Sequence, residues 1–152
     1  MNLRTAKEQK GFTIIEVVLV LAIAGLIFLI VFLALPQLQK SRRDTQRRND
    51  LGRMMSALET YSSSSNGTYP TSQAELDSFK TTYVSSANLK DPSTGNDYTL
   101  TFQTTAPGAV GTVSYSNSAT CGTNGALSST SNARQVAMSV KLETGFQCQA
   151  NQ

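Results

Sequence analysis

The sequence predicts an α+β fold in which a long N-terminal helix, apolar in its first half, packs its C-terminal half against a small antiparallel β-sheet. Residues 12–35 form an unbroken apolar run with Glu16 as its only charge. Apolar residues then recur at helical spacing from Leu51 to Tyr61, and beyond residue 97 the period shortens to two. Those features fix the order of the elements: an apolar helix, its amphipathic continuation, a connecting region and a sheet.

At about 1.5 Å per residue, the run from Phe12 to Leu35 is roughly 36 Å long as a helix, enough to cross a hydrocarbon core of about 30 Å. It is expected to span a membrane. Glu16 is the anomaly, because a carboxylate in lipid costs a few kcal/mol, roughly 2.5 to 3.5 for Asp near the bilayer centre and less toward an end. Such a group needs a partner. Residues 1–10 are short and polar and carry Arg4, Lys7 and Lys10 against Glu8. A secretory signal peptide has an apolar core of about 7 to 15 residues followed by a small-residue cleavage site, so this segment is too long and lacks the exit. Cleavage before the run, between Gly11 and Phe12, would instead create an α-amino group close to Glu16. That amine is the natural counter-charge.

Beyond Leu35 the helix is expected to continue through residues 36–61, with Pro36 as a candidate kink because it removes one backbone hydrogen bond and crowds the preceding turn. Residues 37–50 are polar nearly all round, which suits a solvent-bridging helix with opposite-charge pairs such as Asp44 with Arg47 or Arg48. Leu51, Met54, Met55, Leu58 and Tyr61 then form one stripe, read as core beneath a sheet with no need of a cofactor. Ser62 to Gly67 end the helix, since serines favour turns and glycine tolerates positive φ. The connecting region, 62–97, holds the capping-box sequence Ser72-Gln73-Ala74-Glu75 ahead of Leu76, Phe79 and Tyr83, a short amphipathic helix. It closes on the turn-forming stretch from Asp91 to Asp97. Asn66-Gly67-Thr68 has the form of a glycosylation sequon and reads first as a turn.

In residues 98–152, Tyr98, Leu100 and Phe102 alternate with polar residues, as do Val113 and Tyr115, and Val136, Met138, Val140 and Leu142. Three antiparallel strands are expected, with Gly145 turning into a short segment around Phe146 and Cys148. Their apolar faces find a cover in the stripe from Leu51 to Tyr61. Cys121 and Cys148, the only cysteines, stand 27 positions apart. Without histidine they cannot make a four-ligand zinc site, whereas a disulfide would close a loop worth roughly 3 to 4 kcal/mol and pin the last strand to the loop around Cys121. Two free buried thiols are the alternative.

Composition mostly excludes. The net charge of +3 falls to +1 once residues 1–11 are set aside, because they hold three of the 13 basic and one of the 10 acidic residues. Nucleic acid as a partner is therefore open but unsupported. There is no His to serve a nucleophile as base, and Glu59, Glu75, Asp77, Asp91, Asp97 and Glu143 show no motif that pairs them, so each is expected on the solvated surface and no enzyme is expected. No phosphate loop or spaced metal motif calls for a cofactor. The oxygen-rich loop containing Asp91, Ser93, Asn96 and Asp97 is a candidate for Ca²⁺; it fails the EF-hand spacing, and turn-forming residues give the same composition.

Lys10-Gly11-Phe12-Thr13-Ile14-Ile15-Glu16, with Gly25 at mid-helix, resembles the processing site of type IV prepilins and pseudopilins. The resemblance implies a prepilin leader at 1–11, cut after Gly11 by a prepilin peptidase that methylates Phe12. It implies a transmembrane and polymerisation helix at 12–35, its amphipathic continuation at 36–61, the connecting region at 62–97 and the sheet of a pilin fold at 98–152. Glu16 would pair with the N-terminal amine of a neighbouring subunit and set register as subunits leave the lipid bilayer to form a helical homopolymer. The implied partners are the peptidase, the inner-membrane assembly platform and its ATPase machinery. The Asp91 loop also resembles the calcium loop of some pseudopilins.

The implied function is that of a structural subunit of a type IV pilus-like surface filament, first a single-pass inner-membrane protein with its head outside the cytoplasm. The alternatives are a pseudopilin of a type II secretion or DNA-uptake machine, and a membrane-tethered binding domain that never polymerises. Lys40, Arg42, Arg43, Arg47, Arg48 and Arg53 outnumber the three leader cations and point to the opposite topology by a positive-inside count. The processing signature and the cysteines are the sharper signals. The arginines then read as contacts between packed stems or with anionic surface groups.

Overall fold

The computed structural model describes residues 11–85 and 89–151. The predicted leader, Gly11 apart, lies outside the described residues. The chain divides into two compact units between Gln39 and Lys40. Helix α1 (Ile14–Ser64) begins in the first and ends in the second, and it continues through Pro36. No residue of the apolar run is buried, and Phe12 is 89% exposed.

In the second unit α1 turns its stripe inward, burying Leu51, Met54, Met55 and Leu58. The helix stops where the chain enters positive φ at Asn66 (54°) and Gly67 (81°), and the Gly67 N–H donates back to the Ser62 carbonyl at 2.8 Å. Helix α2 (Gln73–Phe79) is capped by Ser72, whose hydroxyl accepts from the Glu75 N–H, and a π-helical turn at Lys80–Val84 extends it. Strands β1 (Thr99–Phe102), β2 (Thr112–Asn117), β3 (Ala119–Cys121), β4 (Leu127–Ser129), β5 (Val136–Lys141) and β6 (Phe146–Ala150) follow. Four of them form one sheet in the order β1-β2-β5-β6, and β3 pairs with β4 in a separate hairpin.

One face of the sheet carries Leu100, Val113, Tyr115, Met138 and Val140, and these pack with the α1 stripe and with Leu76 and Phe79 of α2. The other face is made of small residues, Ser114, Ser116, Ala137 and Ser139, all buried. Ala119 and Leu127 of the hairpin pack there on Ala137, Cys148 and Ala150. The predicted disulfide is present: Cys121 ends β3, Cys148 lies in β6, and their Cα atoms are 5.8 Å apart. It holds a hairpin whose apolar contribution is little more than Leu127.

The expectation of three antiparallel strands needs correction. The segment around Phe146 is a full strand, and β1 runs parallel to β2, Thr99 opposite Thr112 and Phe102 opposite Tyr115. Alternation tells which residues face the core and is silent about strand direction. Residues 103–111, with Pro107, Gly108 and Gly111, return the chain to the start of its neighbour, with Gly111 at φ +82° against the Asp91 side chain. The outer edge of β1 is closed by Gln73, whose carboxamide donates to the Leu100 carbonyl at 3.1 Å and accepts from the Phe102 N–H at 2.7 Å.

Candidate assembly site

Helix α1 opens on Thr13-Ile14-Ile15-Glu16, and these residues form a capping box. Thr13 donates its N–H to Glu16 Oε2 at 2.9 Å and its hydroxyl to the same oxygen at 2.8 Å, while the Glu16 N–H donates to Thr13 Oγ1 at 3.3 Å. The first N–H groups of a helix have no partner within it, so a carboxylate here satisfies one of them at the positive end of the helix dipole. Oε1 accepts no hydrogen bond among the described residues. Beside it Phe12, Val17, Val20 and Leu21 line an open apolar groove of about 420 Å³. A Cβ added at Gly11 or at Gly25 would meet no atom within 4 Å. The packing of the described chain therefore requires glycine at neither position, although glycine inside a helix costs about 1 kcal/mol relative to alanine.

Residues 6–32 match the family model of the prokaryotic N-terminal methylation motif. The chain carries this motif. It is the class III signal peptide of type IV pilins and pseudopilins and supports a pilin- or pseudopilin-like precursor, and the α+β architecture is pilin-like. The motif implies a structural subunit that a prepilin peptidase processes. No curated protein and no solved structure matches the chain significantly.

The second compact unit holds another cluster, centred on Arg47, whose members lie far apart in the sequence. Arg47 is fully buried. Its guanidinium grips Asp91 with two hydrogen bonds, Nε to Oδ2 at 2.6 Å and Nη2 to Oδ1 at 3.2 Å. It also donates to Asp44 at 3.0 Å, Ser93 at 2.9 Å and Glu143 at 3.2 Å. Asp44 in turn accepts from the Glu143 N–H at 2.8 Å and the Thr144 hydroxyl at 2.7 Å, and Arg43 pairs with Glu143. One cation thus joins the stem, the Asp91 loop and the β5–β6 turn.

These contacts set the charge states. Burial works against the Asp91 carboxylate, but Arg47 and Ser93 outweigh it and bring the carboxyl down to about 2. Burial likewise opposes the charge on Asp44, and the Glu143 and Thr144 donors overcome it and lower that carboxyl too. Glu143 is lowered chiefly by Arg43. Asp50 moves the other way: burial raises it, in spite of the Tyr98 hydroxyl that donates to it at 3.0 Å.

Several sequence expectations change here. Asp44 and Arg47 do pair, but in a buried network and not on a solvent-bridging helix; Asp50 is buried as well. Asp91 and Glu143, expected on the solvated surface, belong to that network. A guanidinium stands where the Ca²⁺ candidate placed a cation: Asp91 and Ser93 converge on Arg47, Asn96 contributes its carbonyl to the Asp91 N–H at 2.9 Å, and Asp97 pairs with Lys90 through backbone. Among the described residues no three acidic, Cys or His side chains are grouped to hold a metal. The i, i+3 spacing of Asp44 and Arg47 was the available signal; Asp91 and Glu143, 44 and 96 positions from Arg47, gave none.

Proposed function

We propose that the chain is the structural subunit of a type IV pilus-like surface filament, cut between Gly11 and Phe12, methylated on Phe12 and registered by Glu16. The observation that carries this reading is a carboxylate capping the start of a wholly unburied apolar helix, inside the matched motif. In the precursor, Thr13 already satisfies Glu16 Oε2, which reduces the cost of holding the carboxylate near the membrane. Cleavage adds an amine at Phe12, and Oε1 remains to accept from the amine of a neighbouring subunit. A neighbour in register supplies that amine; one out of register sets apolar side chains against a charge, at a cost of a few kcal/mol.

Helix-on-helix packing then replaces lipid around residues 12–35, and Gly25 supports close approach of the helices. Before assembly the chain is a single-pass inner-membrane protein with its head outside; afterwards it lies on the cell surface, having passed the peptidase, the assembly platform and the ATPase machinery. The disulfide supports an oxidising location for the head. The opposing charge count is also weaker than it looked, since Arg43 and Arg47 are held by carboxylates of the head itself.

The test is N-terminal mass analysis of the membrane and surface-sheared fractions in the native host. A mature chain beginning at Phe12 and heavier by one methyl group is expected. An intact chain beginning at Met1 would overturn the reading in favour of a tethered domain, and a processed chain found only in short envelope-bound assemblies would make it a pseudopilin. Glu16→Ala should insert normally and fail to polymerise; normal fibres from it would refute the register role.

A further inference from the structure

The two edges of the main sheet are treated differently. Gln73 closes β1, whereas β6 ends the sheet on the other side with no strand beyond it among the described residues. The pattern of β5–β6 bonds shows which peptide groups this leaves. Asn151 N–H donates to the Val136 carbonyl and Leu142 N–H to the Gly145 carbonyl, so odd-numbered residues of β6 bond to β5 and those of Phe146, Cys148 and Ala150 point away. Along this edge runs an open groove of about 810 Å³ between α1 and β6, lined by Arg48, Gly52, Arg53 and Ser56 of the helix and by Gln147 and Gln149 of the strand. Among the described residues no carboxylate lines it. Arg48 is exposed, and Arg53 is 58% exposed with its guanidinium 3.8 Å from the buried Asp50. Gly52 leaves room at the floor, where an added Cβ would approach Gln149 Oε1 at 3.7 Å.

We propose that this edge and its groove bind an extended acidic peptide segment of another protein, which adds to the sheet as a fifth strand beside β6. The outward N–H groups and the Phe146 and Ala150 carbonyls supply the strand pairing, the Cys148 carbonyl already accepting from the Gln147 carboxamide at 3.2 Å, and the arginines select carboxylates at alternate positions. A second copy of the chain does not fit. Its β1 edge is closed by Gln73, and pairing two β6 edges would bring Arg48 and Arg53 of both copies together. The proposal concerns a partner of the head and stands apart from processing and polymerisation through residues 11–35.

The experiment uses the full chain in detergent micelles and a fluorescein-labelled hexapeptide of alternating Glu and Val, read by fluorescence anisotropy. Binding is expected, weakened at least about tenfold by combining Arg48→Glu with Arg53→Glu. Gly52→Leu should weaken it by filling the groove at unchanged charge, and N-methylation of alternate peptide bonds in the probe should abolish it. Circular dichroism confirms that each variant is folded. No binding to the wild type, equal binding of the N-methylated probe or of a Lys-Val probe, or displacement of the probe by a single-stranded oligonucleotide through the same arginines would overturn the proposal.

Discussion

Replacing Arg47 by methionine keeps most of the side-chain volume and removes every one of its hydrogen bonds to Asp44, Asp91, Ser93 and Glu143. The buried carboxylates of Asp44 and Asp91 are left without their cation, and breaking a buried pair from one side costs about 3 to 5 kcal/mol. At about 4 °C per kcal/mol for a domain of this size, the melting midpoint should fall by roughly 12 to 20 °C. The acid limb should change with it. A carboxyl held below its ordinary value contributes stability that is complete above that value and is lost as pH falls through the folded one. For Asp91 that window runs from the ordinary 3.8 down to about 2. A difference of that size is on the order of 2 kcal/mol, and Asp44 and Glu143 add to it in the same direction. Near-UV circular dichroism melts of the full chain in micelles, at about pH 7, 4 and 2.5, read both effects. Arg47→Lys should fall between, because lysine keeps the charge and loses the two-pronged grip on Asp91. If Arg47→Met melts within a few degrees of wild type at neutral pH, or keeps its acid-dependent loss, the network is not what ties the stem to the head.

Gly11→Val should accumulate as unprocessed chain on mass analysis with an unchanged head melting point, since among the described residues no atom lies within 4 Å of a Cβ added there; normal processing would remove Gly11 from the cleavage site. Gly125→Ala should cost roughly 1 to 3 kcal/mol, because Gly125 sits at φ +77° and its Cβ would fall 2.4 Å from Phe146 Cγ. Adding Phe146→Ala should recover the steric part of that loss in a denaturation experiment and leave the backbone part. Replacing Cys121 and Cys148 together by serine should lower stability by roughly 3 to 4 kcal/mol, with hydrogen exchange rising first in the β3–β4 hairpin and last in α1 from Leu51 to Leu58.

What the sequence made legible divides by range. The apolar run, the stripe from Leu51 to Leu58 and the Ser72 cap are local patterns whose period or spacing is itself the structure, and each stands where it was read. The capping box at Thr13 is equally local, whereas the expected cost of a carboxylate in lipid points from Glu16 to a partner in another subunit and not to Thr13 three residues away. The cysteines were legible because chemistry leaves two such residues few options. Direction and partnership were not. The parallel pairing of β1 with β2 depends on where residues 103–111 take the chain, and alternation is the same for either direction. The burial of Arg47 depends on Asp91 and Glu143 arriving from distant loops, so a helix face that is polar by composition becomes interior by acquiring counter-charges. In one polar segment, Asp44 and Arg47 complete the head from within while Arg48 and Arg53 line its outer groove. Composition could not separate those roles; the helical spacing that turns 44, 47, 50 and 51 to one side and 48, 52 and 53 to another does.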